Sequence, residues 1–147
     1  MSRTDVLSRH ISASPNQVYT ALVDPKALCS WLPPEGWSCR FEGFVLSEEG
    51  GFRMIHSDQT SNRTDVLDAH FVEIIPEEKL VMNLSFESED PDLAGTLQII
   101  WELAPLAGGS LLTLSARNAP SGITAEGQRE SMTTALANLS DYLTHQA

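Results

Sequence analysis

His56, Asp68 and His70 are the polar side chains whose spacing could do chemistry. Counted by twos along extended chain, Phe52, Met54 and His56 share one strand face, and Val66, Asp68, His70, Val72 and Ile74 share another. A histidine oriented by an aspartate keeps one tautomer, so an inward-facing trio would make a general acid/base pair or a weak metal site. The competing reading, which we favour, puts Asp68 and His70 on a solvated outer face and Leu67, Ala69 and Phe71 inside. Alternation alone does not decide which face is inner. Arg9 and Arg53 carry the same ambiguity: each either reaches the surface or grips a ligand carboxylate with its fork.

The sequence has no Gly-rich phosphate loop, no His-Glu-x-x-His pair and no Gly-x-Ser-x-Gly elbow. We therefore assign no catalytic residue, no metal and no cofactor. The large apolar groups make a stronger case. Trp31, Trp37, Phe41, Phe52, Phe86 and Trp101, with Met54, Met82 and Met132, suit either an ordinary core or a cavity for a flat or greasy ligand.

The elements that must position these groups follow from periodicity and punctuation. Alternation from Thr4 to Ser12 reads as a strand. Ser14-Pro15 is a helix start, with Val18, Tyr19 and Leu22 as the apolar stripe; Asp24-Pro25 ends that helix and begins a short second one through Leu28 to Leu32, closed by Pro33-Pro34. Strand-length runs follow at Trp37 to Leu46, Gly51 to Ser57, Val66 to Ile75, Lys79 to Ser88, Gly95 to Leu103 and Ser110 to Arg117. The separators Glu49-Gly50-Gly51, Pro76-Glu77-Glu78, Asp90-Pro91-Asp92 and Gly108-Gly109 are turn-formers, so the runs read as an antiparallel meander. Asp58 to Arg63 reads as a longer mobile loop. From Thr124 to Thr144 the period changes, and Met132, Leu136, Leu139 and Leu143 form one face of an amphipathic helix. The order predicts an α+β fold, with helices on one face of a curved antiparallel sheet of six or seven strands.

With 147 residues, 41% hydrophobic and 20% charged, the chain is expected to fold as one domain around one core. Its formal charge of −11 argues against nucleic acid and anionic membrane surfaces as partners. The N-terminal residues show no signal-peptide pattern, and no run nears the roughly 18 apolar residues of a membrane span, so a cytoplasmic protein is expected. Cys29 and Cys39 are too few for a disulfide framework or a zinc site and read as two thiols, although sequence leaves one bridge between them open.

Several segments in order carry a resemblance: Ala13-Ser14-Pro15, Val18-Tyr19, Ala21-Leu22, Asp24-Pro25 and Leu28 to Trp31-Leu32-Pro33-Pro34, then Gly50-Gly51-Phe52-Arg53, Phe71 to Pro76 and Glu78 to Val81. Together they resemble the heat-shock-protein ATPase activator-like family of the START-related, birch-pollen-allergen-like superfamily. The resemblance implies a helix-grip fold, in which the sheet wraps the long C-terminal helix around a cavity. Members often carry Gly-Trp where this chain has Ser131-Met132, which implies a cavity of different shape. For such a cavity the ligand-binding candidates are Arg9, Trp31, Trp37, Phe41, Met54, His56, His70, Met82, Phe86, Trp101, Ser131 and Met132. Trp31, before Pro33-Pro34, is placed at the cavity mouth by the same resemblance.

Relatives in that superfamily bind lipids or other hydrophobic molecules, cyclise polyketides or act as co-chaperone domains, so the fold alone does not choose among these. The expected function is binding of a small hydrophobic or amphipathic molecule between sheet and C-terminal helix. The alternatives are a cyclase- or hydrolase-like enzyme, and an interaction module whose partner is a chaperone or a second copy of the chain.

Overall fold

Ser14 starts the first helix by a reciprocal cap. Its hydroxyl accepts from the Gln17 amide at 3.2 Å, and the Gln17 side chain accepts from the Ser14 N–H at 2.9 Å. The computed structural model describes residues 3–33, 36–58 and 60–145, and the expected helix stop at Pro34 lies outside them. Strand β1 (Thr4–Ile11) precedes α1 (Pro15–Val23). Asp24 then caps α2 (Pro25–Trp31), its carboxylate accepting from the Lys26 N–H at 3.1 Å. Strands β2 (Trp37–Glu42), β3 (Gly51–Asp58), β4 (Arg63–Ile75), β5 (Lys79–Phe86), β6 (Leu97–Leu106) and β7 (Gly109–Arg117) follow, and then α3 (Ala125–Thr144), capped by Thr124.

The seven strands form one antiparallel sheet in the order β1-β7-β6-β5-β4-β3-β2. Register puts like side chains in rows across it. Phe41 pairs with Met54, Met54 with Leu67, and Leu67 with Phe86, so one apolar row crosses four strands on the inner face. The next row runs Cys39, His56, Asp65. Helix α3 lies against this side and buries Met132, Leu136 and Leu139 in a cluster with Leu112, Leu114 and Trp101. That arrangement is the α+β fold expected from the element order, in the helix-grip form that the resemblance implies.

Three details differ from expectation. Between the strands, Thr60 to Asn62 form a turn: β3 continues to Asp58, whose carboxylate accepts from the Thr60 N–H at 3.0 Å and the Ser61 hydroxyl at 2.7 Å, and β4 begins at Arg63. In β4 the register shifts between Phe71 and Glu73: Val72 stays exposed on the face of Asp68 and His70, and the bulge returns Ile74 to the core side opposite Leu80. The five-residue stripe counted from sequence therefore ends at Val72, and Ile74 falls on the other face. Cys29 and Cys39, read as separate thiols, are joined in a disulfide that ties α2 to β2, with Cα atoms 5.3 Å apart.

Gly51 has a steric reason to be glycine, because a Cβ there would run into the Ala69 carbonyl of β4. This close approach of β3 to β4 sits beside Phe52, which meets Phe41 with ring centroids 5.1 Å apart and stacks on Phe44 at 5.2 Å.

Candidate functional site

Between α3 and the sheet lies a cavity of about 700 Å³. It falls within the size range of small-molecule sites. The apolar row of β2 to β5 forms one wall, Trp31 and Leu28 of α2 a second, and the α3 residues Ser131, Met132 and Ala135 a third. Glu130, Ser131 and Thr134 are exposed and form a polar lip where the cavity meets solvent. A shallower groove between α2 and α3 shares Trp31, Thr134 and Asn138 with the cavity.

Trp31 is a fixed wall. Only 3% of it is exposed, its Nε1 donates to the Ala21 carbonyl at 3.0 Å, and its ring meets Trp101 edge to face. The α1–α2 corner, built by the Asp24 cap, sets that geometry by bringing the Ala21 carbonyl within reach of α2.

Of the sequence candidates, Trp31, Phe41, Met54, His56, Met82 and Phe86 line the cavity, as do Trp101, Ser131 and Met132. Arg9, Trp37 and His70 are not part of the lining. Arg9 is exposed on the edge strand β1, Trp37 pairs with Asp58 at the start of β2, and His70 is exposed on the outer face between Gly51 and Asn83.

The trio His56, Asp68 and His70 does not assemble. Asp68 accepts from Arg53 Nε at 3.0 Å and Nη2 at 3.2 Å, a two-pronged pair on the outer face that also accounts for Arg53. Glu87 stands 3.7 Å from the same guanidinium. The carboxylate opposite His56 is Asp65. Burial pushes the His56 imidazole below its ordinary value, and the Asp65 charge partly opposes that shift. His56 Nε2 is buried with no hydrogen-bond partner among the described residues. An orphaned buried nitrogen costs about 1–3 kcal/mol, so such groups are few in native proteins.

Sequence reasoning missed Asp65 and the α3 residues Gln128, Glu130, Thr134 and Asn138. Spacings of three and four from Ser131 to Thr134 to Asn138 signal a polar stripe flanking the apolar one, but only packing shows that it borders a cavity. No cluster of metal-ligating side chains occurs among the described residues. No helix among them is long and apolar enough to cross a membrane.

The family described as activator of Hsp90 ATPase homolog 1-like protein matches residues 12–144. No curated protein matches the chain. Among solved structures, a protein from Chromobacterium violaceum is similar at 29% identity and TM-score 0.88, over 95% of this chain and 96% of that one. A protein from Rhodobacter sphaeroides is 21% identical with TM-score 0.83, over the full length of both. An AHSA1-like protein from Aeromonas hydrophila is 16% identical with TM-score 0.81, over 98% and 94%. The last two likenesses are of fold.

Proposed function

Because the chain belongs to the activator of Hsp90 ATPase homolog 1-like family, we propose that its helix-grip cavity binds a small hydrophobic or amphipathic molecule. The observation that carries this reading is the cavity itself, walled by aromatic, Met and Leu side chains and rimmed by polar groups of α3. A packed core would bring α3 down onto that row and leave no such volume. Apolar burial supplies the driving force: a ligand burying about 200 Å² gains about 5 kcal/mol before the costs of association.

A second reading has the family's printed name behind it. As a chaperone co-factor, the chain would use exposed apolar side chains such as Val45, Leu46 and Val72. These lie on the β2–β3 connection and on β4, away from the cavity wall, so the two readings involve different residues.

Native mass spectrometry of protein purified from its own cells tests the cavity reading. The expected result is a small-molecule adduct, released on denaturation, whose mass identifies it. A bare mass, together with no binding of added hydrophobes, would leave the chaperone reading in its place.

A further inference from the structure

Helix α3 buries Gln128, Met132, Leu136 and Leu139 along one stripe. The last three are apolar, and the first is a carboxamide. Gln128 is 7% exposed and lines the cavity, one turn beyond the Thr124 cap, whose carbonyl accepts from the Gln128 N–H at 2.9 Å. The helix thus satisfies its backbone donor and leaves the side chain.

Glutamine is mostly an exposed residue, and taking an amide out of water is unfavourable unless it finds a hydrogen-bond partner. The other buried polar residues among those described have nothing to do with the cavity. Ser110 donates to the Ala13 carbonyl at 2.7 Å, and Ser115 lies in register with Val6 and Ile100 on the sheet face turned away from α3. The Gln128 carboxamide has no hydrogen-bond partner among the described residues, yet it is not sealed off as His56 Nε2 is: the surface it retains belongs to the cavity wall. Leu84, Phe86, Leu97 and Met132 line the same cavity and offer it nothing polar.

A carboxamide presents an acceptor oxygen and two N–H donors side by side. A head group that both donates and accepts, as an amide or an alcohol does, satisfies both ends together. An ester or a carboxylate only accepts and leaves Oε1 unpaired, and an ammonium only donates.

We propose that Gln128 is a specificity-determining residue of the cavity, pairing with the head group of an uncharged amphipathic ligand, an amide or an alcohol, whose apolar body lies against the row of β2 to β5. The proposal rests on the cavity-binding reading and narrows it to a ligand class.

Titration calorimetry with 2-naphthamide, methyl 2-naphthoate and 2-methylnaphthalene tests this. The three share one ring system, and their substituents respectively donate and accept, accept only, and do neither. Gln128→Met keeps the length of the side chain and removes its polar amide. In that variant the affinity ratio of 2-naphthamide to 2-methylnaphthalene should fall roughly tenfold, and that of methyl 2-naphthoate roughly threefold, with 2-methylnaphthalene itself still bound. In the wild-type chain the side-chain amide protons of Gln128 should move further downfield with 2-naphthamide than with 2-methylnaphthalene, a readout that needs no variant.

An unchanged 2-naphthamide ratio in Gln128→Met, equal falls for the amide and the ester, or amide protons that respond alike to both ligands would overturn the proposal. If 2-methylnaphthalene binds and only these differences are missing, the cavity reading stands and this inference fails. If none of the three binds, both fail.

Discussion

The rings of Trp31 and Trp101 meet edge to face, with centroids 6.1 Å apart and planes at 88°. One comes from α2 and the other from β6, so the pair joins the helical layer to the sheet at the cavity wall. Trp37 lies outside that wall.

This separation predicts which indoles report occupancy. Titration with 1-decanol, which does not absorb in the tryptophan region, should shift and change the emission of the wild-type chain. Trp37→Phe should keep nearly all of that change, and Trp31→Phe should lose a large share of it. A response that vanishes in Trp37→Phe would place the ligand elsewhere.

Packing differs between core and cavity wall in a way that urea unfolding can measure. Phe71 is 1% exposed and packs against Phe44 and Phe52, so Phe71→Ala should cost about 3–5 kcal/mol. Phe86 is only half-buried and borders the empty volume. A side chain facing a void has already forfeited part of its contacts, so Phe86→Ala should cost less than half as much. Equal losses would mean that the cavity is filled in solution.

The depressed His56 value has a definite sign in stability. The unfolded chain takes up the His56 proton near pH 6.5 and the folded chain only below that, so falling pH favours unfolding across this window. The contribution is whole above pH 6.5 and is lost as pH falls through the folded-state value. Urea midpoints should therefore drop from pH 7 to pH 5 more steeply in the wild type than in His56→Phe. Parallel profiles would contradict the buried neutral imidazole.

The disulfide closes a short loop, with a sequence separation of 10 between Cys29 and Cys39. Loop-closure entropy for that length predicts that Cys29→Ser, or reduction of the wild type by dithiothreitol, lowers stability by about 2–3 kcal/mol. Reduction should leave the stability of Cys29→Ser unchanged. A variant as stable as the oxidised wild type would show that the bridge adds nothing.

The sequence made the element order legible because each boundary had its own chemistry: Ser14-Pro15 and Asp24-Pro25 for the helix starts, Pro76-Glu77-Glu78 and Gly108-Gly109 for the turns. The stripe of Met132, Leu136 and Leu139 likewise marked the buried face of α3. Strand faces were harder to read. Period-two alternation separates two faces without saying which is inner, so His56 and His70 read alike, although register puts one in the cavity wall and the other outside. The Val72 bulge shifts the count in mid-strand, and the proximity of Asp65 to His56 depends on pairing between strands, which no local pattern encodes. The cavity volume is a property of packing, not of composition, and came from the sequence only through the resemblance.

The most direct test of ligand binding beneath α3 is methyl NMR of protein labelled at methionine and valine methyls, titrated with 2-methylnaphthalene. Met54, Met82 and Met132 line the cavity, whereas Val6, Val45 and Val72 are exposed elsewhere. The account predicts that the three methionine methyls shift together and show intermolecular NOEs to the naphthalene ring while these valines stay in place. Unmoved methionine methyls at saturating probe, or shifts confined to the exposed valines, would contradict it.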